Sequence, residues 1–423
     1  MNNSRLFKKS LLAVTIASAS LASAQVAAAG FQLNAQSATG LGRAFAGDAV
    51  IADNASVMAR NPAAMALFDD VELSLGFVSI TSQIEVKDAT YSQVGSGLVA
   101  ADSNTTPSNY SDAGDTSFAP NIHLIVPVNE QFAWGVNAYT NFGTKTEFDD
   151  TFVAEQFGGK TEILSMNLGL AGSYRINEQF SVGAGLDLIY GQGTMQRTFK
   201  GNDLINVEEA DVWGVGFNVG AVYELDTNNR FGLAYRYSPE MEAKDDKGQK
   251  ITLPLPDMFE FSGFHKIEDT KFAVHYSAQW IGWKAFDEVP LDVANPLITS
   301  KEYQWKNAYH LSLGGTYYLN QDWTLRAGYM YDASAQDEMT SVSVPDSDRN
   351  WLSAGFTYNI DAKSNIDFGF TYLLGKDVVV EETQAIPVYD PTTGALVGGY
   401  STAINATTHA DAILVGLQYS RSF

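Results

Sequence analysis

From Val71 onward, apolar and small-or-polar residues alternate with a period of two. Between Trp213 and Leu225, one face carries Trp213, Val215, Phe217, Val219, Ala221, Tyr223 and Leu225. The other carries Gly214, Gly216, Asn218, Gly220, Val222 and Glu224. Successive strand residues point to opposite sides of a sheet, so this segment reads as a strand between two different environments. The same code recurs around Phe132 to Tyr139, Leu352 to Ile360 and Ile413 to Phe423. Fourteen such strands are expected, beginning near Val71, Phe118, Gln131, Thr161, Phe180, Val212, Arg230, Ile251, Lys271, Trp305, Trp323, Asn350, Asn365 and Thr408.

The links between them alternate short and long. The short ones are Asn129-Glu130, Asn177 to Gln179, Asp226 to Asn229, Glu268 to Thr270, Asn320 to Asp322 and Asp361 to Ser364. The long ones fall around 87–116, 146–160, 200–211, 243–250, 287–304, 334–349 and 376–407. A soluble sandwich also alternates, but it does not gather every tight turn at one end. That layout predicts an all-β fold: a 14-stranded antiparallel transmembrane β-barrel with periplasmic turns and extracellular loops. In hydrocarbon each unpaired backbone group costs several kcal/mol, so such a sheet must close. Trp134 and Trp323 at the turn ends, and Trp213, Trp305 and Trp351 with Trp280 and Trp283 at the loop ends, are read as interfacial girdles. The chain stops on an aromatic, Phe423, directly after an alternating strand.

Residues 1–28 read differently. Arg5, Lys8 and Lys9 precede a short apolar run from Leu11, and small residues end at Val26-Ala27-Ala28. This is the secretory pattern, with cleavage expected after Ala28. No later stretch offers 18 consecutive apolar residues, so helices are not expected to cross a membrane. Residues 29–70 do not alternate. Short helices are expected there, with Asp53 or Asn54 as a cap and Pro62 at a first helical position. So short a segment cannot build its own core, and a barrel lumen is the natural place to lean. The expected organisation is a signal peptide at 1–28, a small helical hatch at 29–70 and the barrel at 71–423.

Charge and composition narrow the chemistry. The 423 residues hold 26 basic against 49 acidic side chains, a net charge of −23, which argues against a nucleic-acid partner. No cysteine is present, so disulfides and thiol nucleophiles are excluded. The five histidines lack metal-ligand spacing, and no cofactor is expected. His310 and Ser312 share a strand face, but no G-x-S-x-G motif accompanies them and no enzyme is expected. Acidic pairs such as Asp149-Asp150, Glu208-Glu209 and Glu381-Glu382 read as solvated loop surface.

Several segments carry a resemblance. Gly30 to Asn34, Gly40 to Ala44, Arg60 to Ala63, Asn141-Phe142-Gly143, Met166 to Leu168, Trp213 to Gly216, Tyr223 to Asp226 and Trp351 to Gly355 together resemble the FadL family of long-chain fatty-acid transporters. The resemblance implies a barrel closed by an N-terminal hatch. It implies capture of a long-chain fatty acid at the extracellular loops, transfer to an apolar lumen pocket, and sideways exit at a kink of the third strand. In this chain the kink falls at Asn141, Phe142 and Gly143. An importer of aromatic or other hydrophobic compounds is the alternative on the same scaffold.

A fatty acid's carboxylate needs a cation. Arg197 shares strand parity with Ser181, Gly183, Gly185 and Asp187, which points it inward, and its place matches a family arginine that contacts the carboxylate. Lys301 matches a family lysine with the same role. The other reading of each is an interior salt bridge with Asp187 or a hatch acid. By resemblance, Phe31 caps the pocket, and Asn61-Pro62-Ala63 faces the kinked strand. Gly220 lies on the lumen face of the sixth strand, where a larger side chain would intrude. Arg43 and Arg60 are expected to tie the hatch to lumen carboxylates. The expected partners are long-chain fatty acids, outer-membrane lipid and lipopolysaccharide, with the protein a monomer.

Overall fold

The computed structural model describes residues 30–99, 103–390 and 392–423, and the expected secretory signal lies outside them. The wall is one closed antiparallel sheet of fourteen strands. They are β1 (Glu72–Gly97), β2 (Thr116–Pro127), β3 (Phe132–Tyr139, resuming as Gly143–Glu147), β4 (Lys160–Arg175), β5 (Phe180–Phe199), β6 (Asn202–Glu224) and β7 (Asn229–Tyr237). The second half is β8 (Met258–Lys266), β9 (Phe272–Ile281), β10 (Ala308–Tyr318), β11 (Trp323–Asp332), β12 (Arg349–Asp361), β13 (Ser364–Gly375) and β14 (Leu396–Ser422). Each strand pairs with its neighbours in sequence. Closure comes from β1 against β14, in register from Glu72 opposite Ser422 upward. The Phe423 amide then donates to the Val71 carbonyl at 3.0 Å, sealing the seam at its last residue.

The expected short turns are all present, and three repeat one device. The side-chain oxygen of Asn129 accepts the amides of Gln131 and Phe132, each at 2.9 Å. Asn177 does the same for Gln179 and Phe180, and Asn320 for Asp322 and Trp323. An asparagine that mimics a backbone turn in this way fixes the register of the strand that follows. Replacing Asn177 by alanine should cost about 1 kcal/mol. The measurement is thermal unfolding in detergent, where a triple Asn129, Asn177, Asn320 alanine variant should lose roughly the sum, since distant sites add.

The far end differs from expectation in detail. Much of what reads as loop is strand. The β5–β6 hairpin turns only at Lys200-Gly201, both with positive φ (50° and 74°), a turn whose twist suits a hairpin. Ser103–Pro107 pairs onto β1 and Val378–Tyr389 onto β14, extending the sheet past the barrel rim. Lipid no longer sets the outer face there, so apolar and polar side chains mix on it and the alternation fades while the ladder continues. The eighth strand, expected near Ile251, starts at Met258. Lys250–Pro254 instead forms a hairpin with Glu240–Lys244. Pro254 and Pro256 separate that hairpin from the wall, as residues without an N–H should. The tenth strand likewise starts at Ala308 rather than Trp305.

The outward face of the wall exposes large apolar side chains, among them Leu186, Val215 and Leu313. Trp134, Trp323, Trp213 and Trp280 stand on this outer face at the strand ends. Trp283, Trp305 and Trp351 do not join the girdles. They are 0 %, 2 % and 1 % exposed and point inward. Trp351 has the parity of Ser353 and Gly355, the lumen set, and its indole N–H donates to Asp332 at 3.1 Å. Trp283 and Trp305 sit in the chain between β9 and β10, which folds back over the lumen.

Residues 30–70 lie inside the barrel. The Ala38 amide donates to Gln418 of β14 (3.2 Å), Gly47 to Ser277 of β9 (2.9 Å), Ala49 to Ser262 of β8 (3.2 Å) and Ala55 to Ser74 of β1 (3.1 Å). Asn121 of β2 and Thr371 of β13 donate to the Ala35 and Leu41 carbonyls. A segment bonded to strands all round a closed sheet fills its bore. It forms one short helix, α1 (Ala38–Gly42), and two 3₁₀ turns, Ala55–Ala59 and Pro62–Leu67. Ser37, Asn54 and Asn61 cap them, each accepting the amide two or three residues on, and Pro62 takes the first position of the last turn.

Candidate functional site

Above the hatch the lumen is apolar. Phe31 is fully buried within an aromatic box, its ring 4.6 Å from Trp283, 5.1 Å from Phe286 and 5.9 Å from Trp305. Phe142 completes the group at 6.2 Å. Ile163, Ile189, Met195, Ile251 and Val289 extend the cluster toward the extracellular rim. These edge-on ring contacts are favourable aromatic geometry, and the box closes the top of the hatch. Their place near strand ends suggests a lipid interface for Trp283 and Trp305, but both turn inward against Phe31. Phe286 had no strand pattern to flag it, because the segment between β9 and β10 is irregular.

The wall beside this apolar cluster is broken. β3 pairs with β2 only from Ala138 opposite Ile122 downward. Beyond Tyr139 it bends inward, away from β2. Its backbone bonds pass to the hatch: the Leu33 amide donates to the Asn141 carbonyl (2.7 Å) and Gly143 to the Phe31 carbonyl (2.9 Å). On its other side β3 keeps β4, with Tyr139 opposite Asn167 and Gly143 opposite Leu164. Four steps along β3 thus match three along β4, the extra residue of a bulge. The strand returns to the neighbouring chain at Glu147, whose amide donates to Ala113 (3.1 Å), and Lys145 pairs with Asp115 (2.7 Å). The result is a window in the wall, edged by Gly114 to Asn121 and by Thr140 to Thr146. Asn141, Phe142 and Gly143 lie at its inner lip, next to Phe31.

Arg197 points inward at the rim of the apolar cluster, 6 % exposed. Its guanidinium donates to the carbonyls of Lys160 (2.7 Å) and Gln196 (2.6 Å) and to the Thr161 hydroxyl (2.6 Å). Among the described residues no carboxylate lies within ion-pairing distance of it. Asp187, the partner weighed from sequence, sits ten residues down the same strand, about 33 Å away at the strand rise. Asp187 is held by Arg236, Asn167 and Asn218 instead. Lys301 does have a partner, Glu382, at 2.8 Å. Burial opposes its charge, but the neighbouring Glu382 carboxylate and Tyr303 together outweigh this and raise its pKa above the ordinary lysine value. Tyr303, Glu382 and Arg197 lie close enough to act on one another electrostatically. Glu382 belongs to a pair read as solvated surface. Strand alternation turns one member of such a pair inward, and Val378–Tyr389 is a strand.

Lower down, ion pairs fasten the hatch. Arg60 bridges to Glu260 of β8 (3.6 Å) and Asp48 (3.4 Å), as expected of a hatch-to-wall tie. Arg43 stays within the hatch, on Asp48 (2.8 Å) and Asp53 (2.9 Å), and the wall reaches Asp53 through Arg326 (3.2 Å). The turn that Asn61-Pro62-Ala63 opens touches the lower part of the kinked strand, where Met65 lies against Gly135. The turn also packs against β5 and β6, where Asn61 donates to the Ala221 carbonyl (3.1 Å) and to Ala49 (2.7 Å). Gly183 and Gly220 make room for it: a Cβ on Gly183 would sit 2.5 Å from the Pro62 carbonyl carbon, and one on Gly220 2.8 Å from Asn61 Cγ. Gly220 is thus a lumen-facing position, and its neighbour there is the hatch. His310 is engaged by Asp332 (3.2 Å) and Asn34 (3.4 Å), anchoring the hatch rather than serving Ser312.

A closed antiparallel barrel with an apolar outer band and a filled bore defines an outer-membrane transport barrel. The family of outer membrane transport proteins described as OMPP1/FadL/TodX matches residues 19–423, and the chain belongs to that family. It is 34 % identical to a long-chain fatty acid transport protein of Salmonella typhi, over 90 % of this chain and 95 % of that one. It is 35 % identical to outer membrane protein P1 of Haemophilus influenzae, with 99 % of both chains covered. The crystal structure of a Pseudomonas aeruginosa FadL homologue superposes with a TM-score of 0.79 at 21 % identity, covering 93 % of this chain and 100 % of the other. The protein is an outer-membrane transport protein.

Proposed function

We propose that the protein imports long-chain fatty acids, holding the carboxylate at Arg197 and the acyl chain in the apolar chamber above Phe31. The observation that carries this is Arg197 itself. A buried guanidinium with only neutral partners is costly unless an anion completes the site. It stands at the edge of an apolar cluster whose side chains suit an alkyl chain, at about 0.8 kcal/mol for each methylene removed from water. Lys301 supplies a second cation at the same rim. The named fatty-acid transporters among the relatives support the substrate class. The acid then leaves sideways through the window beside Asn141, Phe142 and Gly143, into the outer-membrane lipid, while the hatch stays seated.

Arg197→Ala removes a charge-assisted bond of about 1.5–3 kcal/mol, so oleate should bind roughly 10- to 100-fold more weakly to the purified protein. Uptake of labelled oleate by cells lacking their own transporter should fall in parallel. Unchanged binding would discard the assignment. The aromatic box favours a second reading, import of a monoaromatic hydrocarbon, and solved toluene transporters share the fold. Such a ligand makes no use of Arg197, so toluene uptake that is insensitive to Arg197→Ala, without oleate uptake, would establish it.

A further inference from the structure

Beside the two cations sits a carboxylate of the protein's own. Glu382 is 8 % exposed, with one oxygen 2.8 Å from Lys301 Nζ and the side chain close enough to act on the Arg197 guanidinium. Its second oxygen accepts the Val342 amide at 2.7 Å. Val342 belongs to the segment between β11 and β12, and its neighbour Ser343 accepts a hydrogen bond from the Thr146 hydroxyl at 2.6 Å through its carbonyl. Thr146 lies on the part of β3 that edges the window. Val342 is itself fully buried, packed with Phe148, Val380 and Ile404 in the roof. One acid therefore joins the head-group cations, the roof and the window.

We propose that Glu382 is a resident stand-in for the ligand's carboxylate, displaced by an incoming fatty acid, so that an anionic ligand releases the Val342 segment and a neutral one does not. This rests on the fatty-acid reading above. Two carboxylates crowded onto one lysine beside the buried Glu382 repel each other, so the arriving acid and Glu382 compete for Lys301. When the acid wins, Glu382 turns to the extracellular side, where the Lys301 side chain is already 36 % exposed, and the Val342 amide loses its acceptor. The roof segment carrying Val342 and Ser343 then loosens at the point where it touches Thr146. An uncharged ligand of the same shape offers nothing to exchange for Glu382, so the latch stays closed around it.

The test uses the full mature chain in detergent, with oleate and oleyl alcohol as probes and Trp283 and Trp305 fluorescence as the binding signal. Glu382→Gln keeps an acceptor for Val342 but removes the competing charge. Oleate should bind this variant roughly tenfold more tightly than wild type, with oleyl alcohol unchanged, as expected for removal of one close like charge. Glu382→Asp, which keeps the charge, should stay near wild type. In wild type, hydrogen exchange at the Val342 amide should rise with saturating oleate and not with oleyl alcohol. Equal or weaker oleate binding by a Glu382→Gln protein of normal thermal stability would overturn the proposal, as would a Val342 amide that stays protected with oleate bound. Loss of oleate binding in Arg197→Ala alongside either result would leave the fatty-acid reading standing. Failure of oleate to bind wild type would remove both.

Discussion

Replacing Gly183 by leucine is expected to unseat the hatch and turn a plugged barrel into a leaky one. The would-be Cβ falls 2.5 Å from the Pro62 carbonyl carbon and 2.8 Å from the Ala63 Cα, so the obstacle is backbone, not a side chain that can rotate away. Overpacking a well-filled site costs about 1–3 kcal/mol, and a four-carbon side chain against backbone belongs at the upper end. The cheapest relief is movement of Asn61-Pro62-Ala63 off β5. That would also break the Asn61 bonds to Ala49, which ties two parts of the hatch together, and to Ala221, which ties it to β6. Liposomes carrying the variant should swell in a small sugar, wild type should not, and the melting temperature should fall. Gly172→Ala is the control: its nearest neighbour would be 4.0 Å away, and it should behave as wild type. A silent Gly183→Leu barrel would mean that the hatch is held elsewhere.

The second large effect is expected from deleting Asn141. The mismatch between β3 and β4 from Tyr139 to Gly143 is a single residue, so removing one restores an even ladder. A straightened β3 would then lie beside Thr116 to Asn121 of β2, where backbone bonding is the strongest constraint a lipid-facing sheet obeys. The window closes while Arg197 on β5 and the Trp283, Phe286 and Trp305 rings, which belong to the segment between β9 and β10, remain. Oleate should still bind the purified protein with wild-type affinity, and uptake into cells should drop to the background of transporter-less cells. Retained uptake would show that the acid does not leave through this window.

The wall was legible because lipid and lumen impose opposite demands on neighbouring residues, and that contrast is written at every strand. Arg197 was legible for the same reason: its parity survives to the end of β5. Legibility ended where the contrast ends. Above the rim lipid no longer covers the outer face, so residues 202–211 and Val378–Tyr389 lose the clean alternation of apolar and polar positions, and the Glu381-Glu382 pair reads as solvated acid. The box of Trp283, Phe286 and Trp305 was hidden because its members come from an irregular segment whose direction is set by contacts with Phe31, not by local pattern. Tryptophan near a strand end suits an interface and a pocket equally, and only the third dimension separates Trp280 outside from Trp283 inside. Asn61-Pro62-Ala63 announced a capped turn correctly. Which strands it touches depended on glycines more than a hundred residues away.

The bent strand also constrains how the molecule can be made. At Asn141 and Gly143 the bonding groups that a neighbouring strand would normally satisfy are taken by Phe31 and Leu33, from the first residues of the described chain. The last residue, Phe423, closes the seam against Val71. A cylinder that shut before its leading end was threaded would leave those groups bare in an oily interior. The leading end must therefore be housed before the trailing end locks, and biogenesis of the plug and of the wall is a single cooperative event.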